Sequence, residues 1–295
     1  MTTIKAAFWV AGIVLLAAGL LLTAQLFGNN LEFSRYNTGW NGTSSFFASL
    51  DRHRVTDIID PAGLAPYRNN TLLLIIAPER QPTGQETAAY RSFVERGNII
   101  LLADDFGTGD TILRGIGSRI VILPGNLSSI DRAYNDPYFV VAYPVANVSP
   151  VRSISAIVLN RPAPLERGDP LLTSSIMSWI DTNGNKRIDP DEMMGRFAVM
   201  AHEKVGRGEI IVLSDPSIFI NSMQDPDAKW DNRRLIDGLV ERADPVLVDQ
   251  MNSRTTGTEG MSTILHVMKT TLSIEIIFMI VLLLIAAVAW KRKLV

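Results

Sequence analysis

Two runs of consecutive apolar residues, TLLLIIA at 71–77 and NIILLA at 98–103, constrain the fold more than anything else in the chain. Neither run alternates between apolar and polar residues. A strand of this kind is covered on both faces, which is the signature of a parallel sheet between helices. The segment joining them, Gln85 to Arg96, has the helical period: Ala88, Ala89, Phe93 and Val94 share one face, and Gly97 is a natural stop. A strand–helix–strand unit of this size crosses over right-handed.

The same rhythm extends along the chain. Arg54 to Asp60, Arg119 to Leu123, Tyr138 to Tyr143 and Ile154 to Leu159 read as strands, and Leu171 to Ile180 reads as a short amphipathic helix. Phe197 to His202 and Glu209 to Leu213 read as paired strands joined by the turn VGRG at 205–208. Asn232 to Arg242 is a helix with Leu235, Ile236, Leu239 and Val240 inward. The expected fold is an α/β domain over 31–250, with a mostly parallel sheet carrying helices on both faces. An insertion is expected at about 125–195, where the βα rhythm breaks, and the polar stretch 251–270 reads as a linker.

Both ends of the chain are apolar. Ala6 to Phe27 carries no charge, and Leu272 to Trp290 carries only Glu275. Each is long enough to cross a hydrocarbon core of about 30 Å as a helix. Lys5 precedes the first stretch, and Lys291, Arg292 and Lys293 follow the second. The positive-inside rule then predicts a two-pass protein of the cell membrane, with segments 1–30 and 271–295 as spans, both termini cytoplasmic and the main domain extracytoplasmic. The competing reading of the first stretch is a signal peptide cleaved near Leu22-Thr23-Ala24. Sequons at Asn41, Asn69, Asn126 and Asn147 fall in the predicted outer region. A net charge of −2 argues against a nucleic-acid partner, and the lack of cysteine removes disulfides and thiolate chemistry.

Residues 181–192, DTNGNKRIDPDE, match a 12-residue calcium loop. Calcium takes six to eight oxygens, supplied from loop positions 1, 3, 5, 7, 9 and 12. Here these are Asp181, Asn183, Asn185, the Arg187 carbonyl, Asp189 and Glu192, with Ile188 as the apolar anchor. The departures are Lys186 at the sixth position, which favours Gly, and the lack of a following helix. The competing reading is a solvated turn. A bound calcium here would be structural.

Three other stretches carry candidate chemistry. Asn37 to Ser45 (NTGWNGTSS) is a polar loop before a helix; with no strand ahead of it, a helix cap by Ser44 or Ser45 is favoured over an anion site. Asp104 and Asp105 follow NIILLA, at the strand end where open α/β sheets bind ligands. Ser214 and Asp215 also leave a strand, with Ser217 and Asn221 behind them. The histidines, His53, His202 and His266, are scattered, and no G-x-S-x-G elbow is present.

The succession SRYNTGWNGTSSFFASL, TLLLIIAP, FVERGNIILLADD and GRGEIIVLSDPSIFIN resembles the archaeal and bacterial membrane proteins of the "domain of unknown function 4350" family. That resemblance implies a flavodoxin-like sheet similar to the class I glutamine amidotransferases, flanked by transmembrane helices. Glutaminase chemistry needs a cysteine that this chain lacks. The resemblance therefore implies a non-hydrolytic sheet used for binding, with a membrane-protein, ATPase or transport-complex partner. The expected function is a membrane-anchored extracytoplasmic binding or scaffold protein with a calcium-stabilised loop. The alternative is a hydrolase using Asp104, Asp105, Ser214 and Asp215.

Overall fold

Leu72–Ile76 and Ile99–Ala103 lie side by side and parallel in the middle of one large sheet. All five residues of the first are buried. Leu72, Leu74 and Ile76 face one core, whereas Leu73 and Ile75 face a second core across the sheet. The unbroken apolar run is thus a strand with two dry faces.

The computed structural model describes residues 30–145, 149–225, 228–253 and 255–257, of which those from Glu32 to Gly257 belong to one compact unit. In chain order the elements begin with α1 (Ser44–Ser49), β1 (Val55–Ile58), β2 (Leu72–Ile76), α2 (Gly84–Glu95), β3 (Ile99–Ala103) and α3 (Gly109–Ile116). A β-rich stretch follows: β4 (Val121–Ile122), β5 (Asn126–Ser129), β6 (Phe139–Pro144), β7 (Ile157–Asn160), β8 (Leu165–Glu166), β9 (Asp169–Ser174), β10 (Ser178–Asp181) and β11 (Met194–Gly195). The chain closes with β12 (Ala198–Val205), β13 (Gly208–Leu213), α4 (Asn232–Val240) and β14 (Val246–Asp249).

An eleven-stranded sheet runs β1-β14-β2-β3-β13-β12-β9-β6-β7, with β4 and β8 attached beside β12; β11, β10 and β5 form a separate three-stranded sheet. Pairings from β1 through β13 are parallel. From β12 onward every pairing is antiparallel. Tyr90 and Phe93 of α2 and Ile112 and Leu113 of α3 fill one core. Phe46 of α1 and Leu235, Ile236 and Leu239 of α4 fill the other.

Several expectations are corrected here. The sheet is mixed and strand outweighs helix among the described residues, whose α-helices are four and short, rather than a mostly parallel, helix-flanked α/β domain of flavodoxin or amidotransferase type. The cause lies in the segment read as an insertion. Its strands β6, β7 and β9 continue the main sheet, and the VGRG turn folds β13 back antiparallel to β12. The helix expected at 171–180 is instead the end of β9 followed by β10. Strand pairing on both sides, β9 with β12 and β6 and β10 with β5 and β11, overrides its weak helical periodicity.

The transmembrane flanks and the two-pass, extracytoplasmic placement are corrected as well. Among the described residues no helix is long and apolar enough to cross a membrane. The longest, α2, has 12 residues, which is about 18 Å against a core of about 30 Å. The stretches 6–27 and 272–290, to which the spans were assigned, lie outside the described residues.

Two local devices hold the parallel core. Helix α2 starts with a capping box: Thr83 Oγ1 accepts from the Glu86 amide, and Glu86 Oε2 accepts from the Thr83 amide. At the end of β14, buried Asp249 accepts from the Tyr90 hydroxyl at 2.7 Å and from the amides of Asn252 and Ser253. Ser253 Oγ in turn accepts the Ile76 amide. Burial pushes the Asp249 carboxyl above its ordinary range.

Gly208 shows how tightly the hairpin seats. A Cβ there would lie 2.2 Å from the carbonyl oxygens of both Asn98 and Val94, whereas one at Gly84 meets nothing within 4 Å. Gly208→Ala is expected to destabilise the domain by about 3 kcal/mol, because backbone cannot retreat as a side chain can. Gly84→Ala is expected to be neutral within about 0.5 kcal/mol. Urea denaturation of the two variants checks the contrast.

Candidate functional site

The carboxyl ends of β2, β3 and β13 open together at one edge of the sheet, around a cavity of about 330 Å³. Ala77, Pro78, Asp104, Asp105, Phe106, Gly107, Asn160, Arg161, Pro216 and Ser217 line it, with Glu32 and Phe33 from the start of the unit.

Asp104 extends the strand ladder, its amide donating to Leu213 O. Its carboxylate then caps α3, accepting from the amides of Gly107 at 3.1 Å and Gly109 at 2.6 Å. Only glycine allows this approach: a Cβ on either residue would sit 2.6 Å from an Asp104 carboxylate oxygen. Asp104 is 2 % exposed. Asp105 is less buried and lines the cavity, where its Oδ1 accepts the Phe106 amide. Burial first, then the charges of Asp215 and Asp104, push its carboxyl up to about 7.

The other strand end is more enclosed. Ser214 is fully buried, and both its amide and its hydroxyl donate to Val199 O. Asp215, also fully buried, accepts from the amides of Ser217 at 2.7 Å and Asn160 at 2.5 Å. Its carboxyl is pushed up to about 6 by burial, against those hydrogen bonds. The four residues named from the sequence therefore meet at one edge but in different roles. Asp104 and Asp215 pin backbone, Ser214 ties two strands, and Asp105 faces the cavity.

Sequence reasoning missed Phe106, Asn160 and Arg161. Asn160 and Arg161 close β7, and Arg161 adopts a left-handed φ of 59°. Its guanidinium stacks 4.8 Å from the centre of the Tyr138 ring. The dipeptide Arg161-Pro162 after an apolar strand was the available signal, since a non-glycine residue ahead of proline marks a turn. The histidines do not join the site. His202 pairs through Nδ1 with Glu209 Oε1 at the opposite end of β13. His53 follows the short helix at Leu50–Arg52, and His266 lies outside the described residues.

The loop 181–192 follows strand β10 rather than a helix. Asp181 is buried and accepts from the amides of Gly184 and Lys186 and from the Tyr138 hydroxyl. Asp189 Oδ2 accepts from the side-chain amides of Asn183 and Asn185, each at 2.7 Å. Asn185 Oδ1 accepts the Arg187 amide, and Glu192 accepts from the amides of Thr182 and Asp189. Lys186 takes the left-handed conformation that the sixth position demands, with φ of 61°. Among the described residues no group of three or more His, Asp or Glu side chains is placed to hold a metal ion.

In the loop at 37–45, helix α1 is capped from a distance. Asn221 Oδ1 accepts the Ser45 amide, while its Nδ2 donates to the carbonyls of Asn37 and Gly39. Neither Ser44 nor Ser45 is the cap.

The family model described as "Domain of unknown function (DUF4350)" matches residues 35–240, more than half of the chain. No curated protein matches the sequence. Among solved structures, a putative ThuA-like protein from Bacteroides uniformis is similar at 13 % identity and a TM-score of 0.39, over 68 % of this chain and 82 % of that one. An exo-β-1,4-mannosidase from an Opitutaceae bacterium matches at 13 % identity and TM-score 0.32, over 57 % and 24 %. A β-galactosidase from Bacillus circulans matches at 11 % identity and TM-score 0.33, over 63 % and 28 %.

The raised Asp105 pKa has a sign that can be checked. An acid whose folded pKa lies above its unfolded value favours the fold less as pH rises through the window between the two, here from 3.8 to about 7. Asp105→Asn removes that loss. Its melting temperature is expected to exceed that of the parent by a few degrees at pH 7.5, equivalent to about 1–2 kcal/mol after solvent screening. The gap should close as pH falls to 4, and thermal denaturation across that range measures it.

Proposed function

We propose that this chain, which belongs to the DUF4350 family, is a binding module and not a hydrolase, taking a small ligand in the cavity at the carboxyl edge of its parallel strands. One observation carries the reading. Of the four polar residues at that edge, Ser214 and Asp215 are fully buried and off the cavity lining, Asp104 lines it with both carboxylate oxygens taken by amides, and Asp105 is the more exposed lining carboxyl, with one oxygen on the Phe106 amide. A serine nucleophile needs an open approach and a base within hydrogen-bonding reach. Ser214 is fully buried and donates to a carbonyl. The cavity volume is at the lower end of the range that small-molecule sites occupy.

The reading carries with it a protein partner of the ATPase or transport-complex kind, for which the family resemblance is the support. Glutaminase chemistry is left out of it, since the sequence holds no cysteine.

A fluorophosphonate probe is expected to leave Ser214 unlabelled in the folded chain, with the modified residue mapped by peptide mass spectrometry. Labelling of Ser214, with turnover of an ester substrate lost in Ser214→Ala, would restore the hydrolase reading.

Calcium at 181–192 is a second element of the proposal. The left-handed Lys186 and the inward-turned oxygens of Asp189 and Glu192 support it. The loop closes on its own hydrogen bonds, so calcium would replace amide donors already in place. Millimolar calcium is expected to raise the melting temperature by about 3 °C, the shift for a ligand at roughly ten times its dissociation constant. Asp189→Asn should abolish the shift. An unchanged melting curve for the parent chain removes the metal from the account.

A further inference from the structure

The lining of the cavity at the strand ends is sharply one-sided in charge. Asp104 and Asp215 stand behind Asp105 and are fixed by amides, so their negative charge cannot turn away. Glu32 adds a carboxylate from the N-terminal side. The one cation among the lining residues is Arg161, and its guanidinium is drawn onto the Tyr138 ring. Beside Asp105 the Phe106 side chain is 53 % exposed and also lines the cavity.

Resting on the binding reading above, we propose that the ligand of this cavity is a small organic cation carrying a primary ammonium group, held by the Asp105 carboxylate against the Phe106 ring. An ammonium placed here meets an Asp105 carboxyl that makes no ion pair among the described residues and the negative face of an aromatic ring, two features that each favour a cation over a neutral or anionic ligand. The Asn160 carboxamide lines the same space and can accept a further N–H. A bare metal ion is a poor fit. Among the described residues no three acidic or histidine side chains are placed around one point, so the positive charge must come on a ligand that needs only one carboxylate.

Binding then exchanges one positive charge for another. Asp105 holds a proton up to near neutral pH, because burial and the charges of Asp215 and Asp104 oppose its ionisation. The ammonium takes over the role of that proton, which leaves to solvent. The Arg161 guanidinium lies over the Tyr138 ring.

The test uses the full chain and three probes of matched length: pentylamine, pentanol and pentanoate, followed by calorimetry and by NMR of the 104–107 amides. Pentylamine is expected to bind at least tenfold more tightly than either other probe. Its affinity should rise about tenfold between pH 6 and pH 8, as the ionised fraction of Asp105 grows. Asp105→Asn should abolish both the preference and the pH dependence. Phe106→Ala should weaken pentylamine several-fold while keeping the pH dependence, and it serves as the readout if the Asp105 variant does not fold. Pentanol or pentanoate binding at 104–107 as tightly as the amine overturns the ammonium assignment and leaves the binding module standing. If none of the three shifts those amides, both fall together.

Discussion

Everything at the functional edge depends on Asp104 accepting the amides of Gly107 and Gly109. This contact stops β3, starts α3 and fixes the turn between them. Successive residues leaving a strand point to opposite sides. With Asp104 turned into the turn, Asp105 lines the cavity. Asp215 does the same work one strand away, holding Asn160 and Ser217 against the end of β13. Two buried carboxylates thus act as fasteners for backbone, and their charge adds to burial in raising the proton affinity of the third.

The rest of the sheet supports that edge. Strands β2, β3 and β13 are buried on both faces, so their ends cannot move independently. The β-rich half beyond β12 was the part that sequence patterns described least well, yet it supplies Asn160 and Arg161 to the cavity. The site is built where the parallel and antiparallel halves of the sheet meet.

The legible parts of the fold were those where a single physical signal acts locally. TLLLIIA and NIILLA are apolar throughout because they are covered twice, and the helix between them has both a capping box and a terminal glycine. The strands β5, β8, β10 and β11 are 2–4 residues long, too short for a period of two to show. Residues 171–180 carried a helical spacing that strand pairing on both sides overrode. At the site, Asp104 and Asp105 were legible as a strand end, but which of them would face outward depended on glycines two and four residues later. Arg161 carried only the turn signal of the proline after it, and Phe106 carried no pattern at all.

The fastening by Asp104 also separates two jobs that adjacent residues often share. The turn keeps its shape without help from the side chain at 105, since that carboxyl reaches no amide beyond the one next to it. Position 105 is therefore a socket: a single codon that turns its acid into an amide or a base re-addresses the pocket to a new class of molecule while the scaffold beneath stays as it is.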